Sequence, residues 1–294
     1  MLGHVITAMV TPFRADGAVD FEGFRELAAF LADNGSDGLV VCGTTGESPT
    51  LSDEEKLALF AAAVETVGDR ATIVAGTGTY DTAHSVHLTK QVAELGVDAI
   101  LVVTPYYNKP PQRGLVRHFE AVAGATELPV MAYNVPSRVV TKIETATIAR
   151  LAQIENVVAV KQAHDDLDEA RFIAEETRLD LYCGDDPNTF AFLGAGGVGV
   201  VSVTAHLWGR QIAEMIRLHG AGDVDGARAL HEEMQPSYDL LKIQTNPIPI
   251  KAALDLTGHA VGGHRLPLVE ADEDELAQVR SCLGRAGLLA AASA

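Results

Sequence analysis

Apolar residues in this chain fall into short unbroken runs, each followed by a longer stretch whose apolar positions return with helical spacing. The short runs are Val5–Val10, Gly38–Cys42, Thr72–Ala75, Ala99–Val103, Pro129–Tyr133, Val157–Lys161, Leu179–Cys183 and Gly199–Val203. They are rich in Val, Ile and Ala and do not alternate with polar residues, as expected of parallel strands covered on both faces. Helices are predicted near Phe21–Asp33, after Ser52, and near Thr82–Leu95, Gly114–Ala125, Glu144–Gln153, Asp166–Thr177, Asn188–Leu193 and Trp208–His219. The helix after Ser52 is the best marked, because Ser52 with Glu55 three residues on forms a capping box. Eight strand–helix units within about 220 residues match an α/β (β/α)₈ TIM barrel better than a doubly wound open sheet. From Asp223 only helical patterns remain: Val224–Met234 continuing toward Ile243, Pro247–Leu256 and Asp274–Leu283. The expected organisation is therefore a barrel over residues 1–222 and a small C-terminal α-helical region over 223–294.

Composition narrows the function classes. The 294 residues are 47% hydrophobic and 21% charged, enough to bury one large core. A formal net charge of −18 repels phosphate backbones and anionic headgroups, so neither nucleic acid nor a membrane surface is an expected partner. No uncharged apolar run reaches the roughly 18 residues of a membrane span, and no basic, apolar leader opens the chain. A cytoplasmic location is expected. Cys42, Cys183 and Cys282 lack metal-ligand spacing and suit reduced thiols.

Active sites of such barrels lie where strands end, so the residues closing the apolar runs matter most. Those residues are Thr44-Thr45, Tyr106-Tyr107-Asn108, Tyr133-Asn134, Lys161 and Gly184-Asp185-Asp186. A strand-end lysine is by itself most often a charge reaching for solvent. Inside a pocket, however, desolvation depresses an ammonium from about 10.4 toward neutrality, and a neutral amine is what attack on a ketone requires. Lys161 is then a candidate nucleophile. Tyr133 on the neighbouring strand is a packing residue or a proton carrier, and Thr44 and Tyr107 would extend it into a hydroxyl relay. The turn Gly43–Ser48 is either a plain tight turn or a cradle for a small anion. Gly194–Gly199 precedes a strand instead of opening a helix, which argues for a connector and against a nucleotide site.

The Gly-Thr-Thr-Gly-Glu-Ser turn at 43–48, Pro105–Pro110, Tyr133–Arg138, Lys161, Asn246–Lys251 and Arg265–Leu268 occur together and in order along nearly the whole chain. In these segments the chain resembles the dihydrodipicolinate synthase family of pyruvate-dependent class I aldolases. The resemblance implies that Lys161 forms a covalent imine with pyruvate, with Tyr133 as general acid/base and Thr44 and Tyr107 completing the relay. It implies further that Thr45 seats the pyruvate carboxylate, Arg138 holds the carboxylate of L-aspartate 4-semialdehyde, and the backbone at Gly184 and Val201 lines the pocket. No metal or organic cofactor is implied. The implied assembly is a homotetramer, a dimer of dimers in which Tyr107 is lent across a tight interface, and the implied product is 4-hydroxy-tetrahydrodipicolinate.

Some positions depart from that pattern. Val139-Val140 replaces the more usual Thr-Gly, Gln162-Ala163-His164 follows the lysine where Glu-Ala is commoner, and His206 stands where Asn is frequent. Where feedback-regulated relatives bind lysine, this chain carries Pro49, Asp53, Lys56, Tyr80 and His84, with only Ser48 and Tyr106 as that site expects, so weak or absent lysine inhibition is anticipated. Asp185-Asp186 reads as a turn and helix cap rather than a paired-carboxylate site. His84 and His87 read as a solvated helix face, with no third metal ligand nearby, and Asp272–Glu275 as the acidic start of the last helix. Two other readings stay open: a sister aldolase or lyase, such as an N-acetylneuraminate lyase-like enzyme acting on a sugar-derived aldehyde, and a non-catalytic barrel that binds oxo acids.

Overall fold

The computed structural model describes residues 1–289; the last five positions of the expected C-terminal region lie outside the described residues. Eight strands occur where the apolar runs place them: β1 Val5–Ala8, β2 Gly38–Val41, β3 Thr72–Gly76, β4 Ala99–Val103, β5 Val130–Asn134, β6 Val157–Gln162, β7 Asp180–Cys183 and β8 Gly199–Ser202. All pair in parallel, in chain order, and β8 returns to β1, so the sheet is a closed barrel and the open doubly wound alternative is excluded. Because successive side chains point to opposite faces, each strand feeds two cores. One fills the barrel, with Ile6, Val40, Val74, Leu101, Met131 and Tyr182 among its members; the other lies between strands and helices. The Tyr182 hydroxyl donates to Gly3 O (2.9 Å) and accepts from Leu2 N (2.9 Å), satisfying a polar group at the barrel floor.

The helices follow local chemistry. Ser52 and Glu55 form the capping box that opens Asp53–Val67, and Asp272 with Glu275 forms another at Glu273–Arg285, so the acidic run there is an N-terminal cap. Helix Ala205–Gly220 begins earlier than Trp208 and kinks at that residue. A four-residue helix, Pro136–Val139, has no counterpart in the hydrophobic pattern because it is too short to show a period. After Gly220 come Val224–Glu233, Gln235–Leu240, Ile248–Leu256 and Glu273–Arg285, whose buried residues Ala227, Leu240, Ile250 and Val279 join the outer core. The glycine-rich stretch is a connector, with Gly196 at φ 92° just before β8. Cys42, Cys183 and Cys282 are free and buried. Among the described residues no helix is long and apolar enough to cross a membrane.

Candidate active site

Lys161 lies on the same side of β6 as the interior residue Ala159, and the strand carries it to the barrel mouth, where it is only 6% exposed. Its register partners are Tyr133 on β5 and Tyr182 on β7. The Lys161 Nζ sits 4.2 Å from the Tyr133 ring centroid, and no carboxylate pairs with it among the described residues. Gly184, just past β7, lets the lysine pack close: a Cβ at that position would fall 2.9 Å from both Cγ and Cε of Lys161, which would have to shift to admit it.

A cavity of about 450 Å³ opens above the lysine, lined by Lys161, Tyr133, Thr44, Thr45, Gly184 and Arg138 together with residues of the C-terminal segment. A second cavity of about 220 Å³ shares Thr44, Tyr133 and Arg138 and extends past Ser48, Pro49 and Tyr106. The fold thus gathers six of the eight predicted site residues. Tyr107 stays out: it is 92% exposed, at φ 70°, and lines neither cavity. Val201 also lines neither; its side chain is buried in the barrel interior. Arg138 projects from the short helix into solvent, its Nη2 3.3 Å from Asn246 O.

The turn after β2 is held by groups to which the sequence reading gave no role, although Glu47, Asn246, Lys251 and Arg265 all lie in segments that carry the family resemblance. Glu47 adopts a left-handed conformation (φ 55°), which costs a non-glycine residue about 1–3 kcal/mol unless its surroundings enforce it. Enforcement comes from the C-terminal segment. The Lys251 ammonium donates to Glu47 Oε1 (3.0 Å) and Thr11 O (2.9 Å), His264 Nδ1 lies 3.1 Å from Oε1, and Arg265 N donates to Oε2 (3.1 Å). Burial works to raise the Glu47 carboxyl, but the hydrogen bonds from His264 and Lys251 prevail and hold it below the ordinary carboxylate value. Burial pulls the Lys251 ammonium down against the opposing pull of Glu47. Asn246 Nδ2 donates to Thr45 Oγ1 (2.8 Å), and the Arg265 guanidinium grips both oxygens of Glu55 (2.6 and 2.7 Å). In the sequence, the local signal for this contact was a lysine closing the apolar run Ile248-Pro249-Ile250.

Two further expectations change in part. Asp186 caps no helix: its oxygens accept from Ser202 Oγ, Thr204 Oγ1 (2.6 Å), Val203 N (2.9 Å) and Thr204 N (3.2 Å), tying β7 to the turn after β8. Asp185 does stand at the N-cap of the 3-10 turn Asp186–Asn188, but its side chain caps no backbone N–H there; its Oδ2 accepts from Asn188 Nδ2 (2.8 Å) at the cavity wall. His84 is not simply solvated, since its Nε2 lies 2.7 Å from Asp53 Oδ2.

The sequence model of the dihydrodipicolinate synthetase family matches residues 1–286. The chain belongs to that family. It is 50% identical over 289 residues to a 4-hydroxy-tetrahydrodipicolinate synthase from Moorella thermoacetica, covering 98% of this chain and 99% of the relative. Among solved structures, a dihydrodipicolinate synthase from Cyanidioschyzon merolae with lysine bound superposes with a TM-score of 0.96 at 42% identity, covering 98% of this chain and 99% of that one. A dihydrodipicolinate synthase from Bacillus anthracis gives 0.94 at 43% identity, covering 97% and 98%. The family works without a metal cofactor.

Proposed function

We propose that this chain is a 4-hydroxy-tetrahydrodipicolinate synthase, condensing pyruvate with L-aspartate 4-semialdehyde in lysine and diaminopimelate biosynthesis. The observation that carries the reading is a buried lysine at the end of β6, without an ion-pair partner among the described residues, in one cavity with Tyr133, Thr44, Thr45 and Arg138. The Lys161 amine attacks the pyruvate ketone, water leaves, and the resulting imine loses a methyl proton to become an enamine. The enamine carbon attacks the aldehyde, and the semialdehyde's own nitrogen then displaces Lys161 and closes the ring. Tyr133, whose ring lies beneath Nζ, carries protons in these steps with Thr44; Thr45 receives the pyruvate carboxylate, and the backbone at Gly184 flanks it. Arg138 receives the semialdehyde carboxylate, a match for its planar fork. No cofactor beyond the covalent imine is required.

The barrel, residues 1–222, holds the chemistry, and the helical region from 223 braces its mouth. The exposure of Tyr107, and of Tyr80 at 55%, supports a homotetramer in which a partner chain covers these rings and Tyr107 completes the neighbour's relay. A cytoplasmic setting belongs to the same reading, since three buried free thiols suit a reducing compartment. The test is pyruvate with borohydride, followed by pyruvate consumption with the semialdehyde against neutral and sugar-derived aldehydes, for wild type and Arg138→Ala. Labelling at Lys161 and an Arg138-dependent preference for the semialdehyde support the synthase. A preferred sugar aldehyde moves the function to a sister lyase, and absence of labelling leaves a binding barrel.

A further inference from the structure

L-Aspartate 4-semialdehyde carries a carboxylate and an ammonium on one carbon, and Arg138 answers only the first. The wall of the Lys161 cavity also contains carboxylates, and the structure separates them by what they already do. Asp186 spends both oxygens on the turn after β8. Asp165 is exposed at the rim. Asp185 is half-buried in the wall, its Oδ2 fixed by Asn188, and its Oδ1 accepts no hydrogen bond among the described residues. One oxygen of a carboxylate that lines the cavity is therefore left without a hydrogen bond among the described residues.

Resting on the synthase reading, we infer that Asp185 receives the α-ammonium of the semialdehyde and takes a proton from it before that nitrogen displaces Lys161. The need is chemical, because an ammonium has no electron pair with which to attack. Burial raises the Asp185 carboxyl, and the neighbouring Asp186 and Asp165 charges add to this against the Asn188 hydrogen bond, which makes it a better proton acceptor than an ordinary aspartate. The step balances from the protonated imine. One ammonium proton passes to Asp185, and the freed electron pair forms the C–N bond while the imine π pair moves onto Nζ. A second proton moves from the ring nitrogen to Nζ, and the C–Nζ bond breaks with its pair on Nζ. The third proton then leaves the ring nitrogen for Lys161, giving the cyclic imine and the lysine ammonium.

The experiment compares wild type and Asp185→Asn on two aldehydes, the semialdehyde and 4-oxobutanoate, which is the same molecule without the amino group. With 4-oxobutanoate, Lys161 of the variant forms the borohydride-trapped condensed adduct within about threefold of the wild-type rate. With the semialdehyde, turnover falls about 10²-fold and the condensed adduct accumulates on Lys161, a signature that a merely structural role would not produce. Should the variant fail to label with pyruvate, Asp185→Ser is read on the same pair. Equal losses with both aldehydes, or unchanged turnover with the semialdehyde, overturn the inference while leaving the synthase intact. A wild type that neither labels at Lys161 nor turns over the semialdehyde overturns the synthase reading and this inference together.

Discussion

Gly184→Ala probes how closely the barrel packs its lysine. The position lies outside the left-handed region, so alanine meets no backbone strain, and the only obstacle is what a methyl group would touch. That methyl would lie 2.9 Å from Cγ and Cε of Lys161 and 3.0 Å from Cβ of Ala163. Ordinary carbon–carbon contact begins at about 3.5 Å, so the lysine must retreat by between half an ångström and one ångström. The retreat is available to a flexible side chain beside an open cavity, and the stability cost falls at the low end of the roughly 1–3 kcal/mol of overpacking, a Tm loss of a few degrees. A reacting amine misplaced by about 1 Å loses up to about 10²-fold in rate, equivalent to some 2.7 kcal/mol of barrier. We expect borohydride-trapped pyruvate adduct at Lys161 to form about 10- to 10²-fold more slowly in a variant that still unfolds cooperatively near the wild-type temperature. Adduct formation at the wild-type rate would refute the argument, as would a variant that does not fold.

Lys251→Met keeps the side-chain volume but strips the ammonium from a fully buried Glu47, and a thermal scan should show the loss of about 3–5 kcal/mol typical of a broken buried pair. His206 is held near 4 by burial, with its Nε2 accepting from Val10 N and its Nδ1 bonded to Val203 O. Its folded value lies below the unfolded one, so the stability it supports is complete above about pH 6.5 and drains as pH falls toward 4. Urea midpoints at pH 7 and pH 5 should therefore show wild type losing about 2 kcal/mol more than His206→Asn over that interval. L-Lysine should inhibit weakly or not at all, because Asp53, Lys56 and His84 satisfy one another, with Asp53 2.7 Å from His84 and 3.6 Å from Lys56. Half-inhibition below about 1 mM in a steady-state assay would refute that expectation.

The fold was almost wholly legible because a parallel barrel writes each strand as a continuous apolar run. Ala99–Val103 and Phe21–Asp33 were delimited to the residue, and the other strands and helices differ at one or both ends. The lysine, tyrosine and threonines at the mouth were legible for the same reason, since strand ends point to one place. What stayed hidden belongs to contacts between distant segments. Lys251 reads as an ordinary helix charge until Glu47 and Thr11 are seen around it, and Asp186 reads as a local cap although its partners lie beyond β8. Helix Pro136–Val139, which carries Arg138, was hidden by its length. Tyr107 is 92% exposed, and no periodicity could have announced that.

The grip of the C-terminal segment on the turn after β2 also sets an order of events during synthesis. All eight strands have been made once Ser202 is added, yet Asn246, Lys251 and Arg265, which hold Thr45, Glu47 and Glu55, come later. A nascent chain that folds from its N-terminus can thus close its barrel while the turn beside Lys161 is still without its braces. The enzyme would reach its catalytic shape only when its last quarter has emerged, so an interrupted chain would be a barrel with an unfinished mouth.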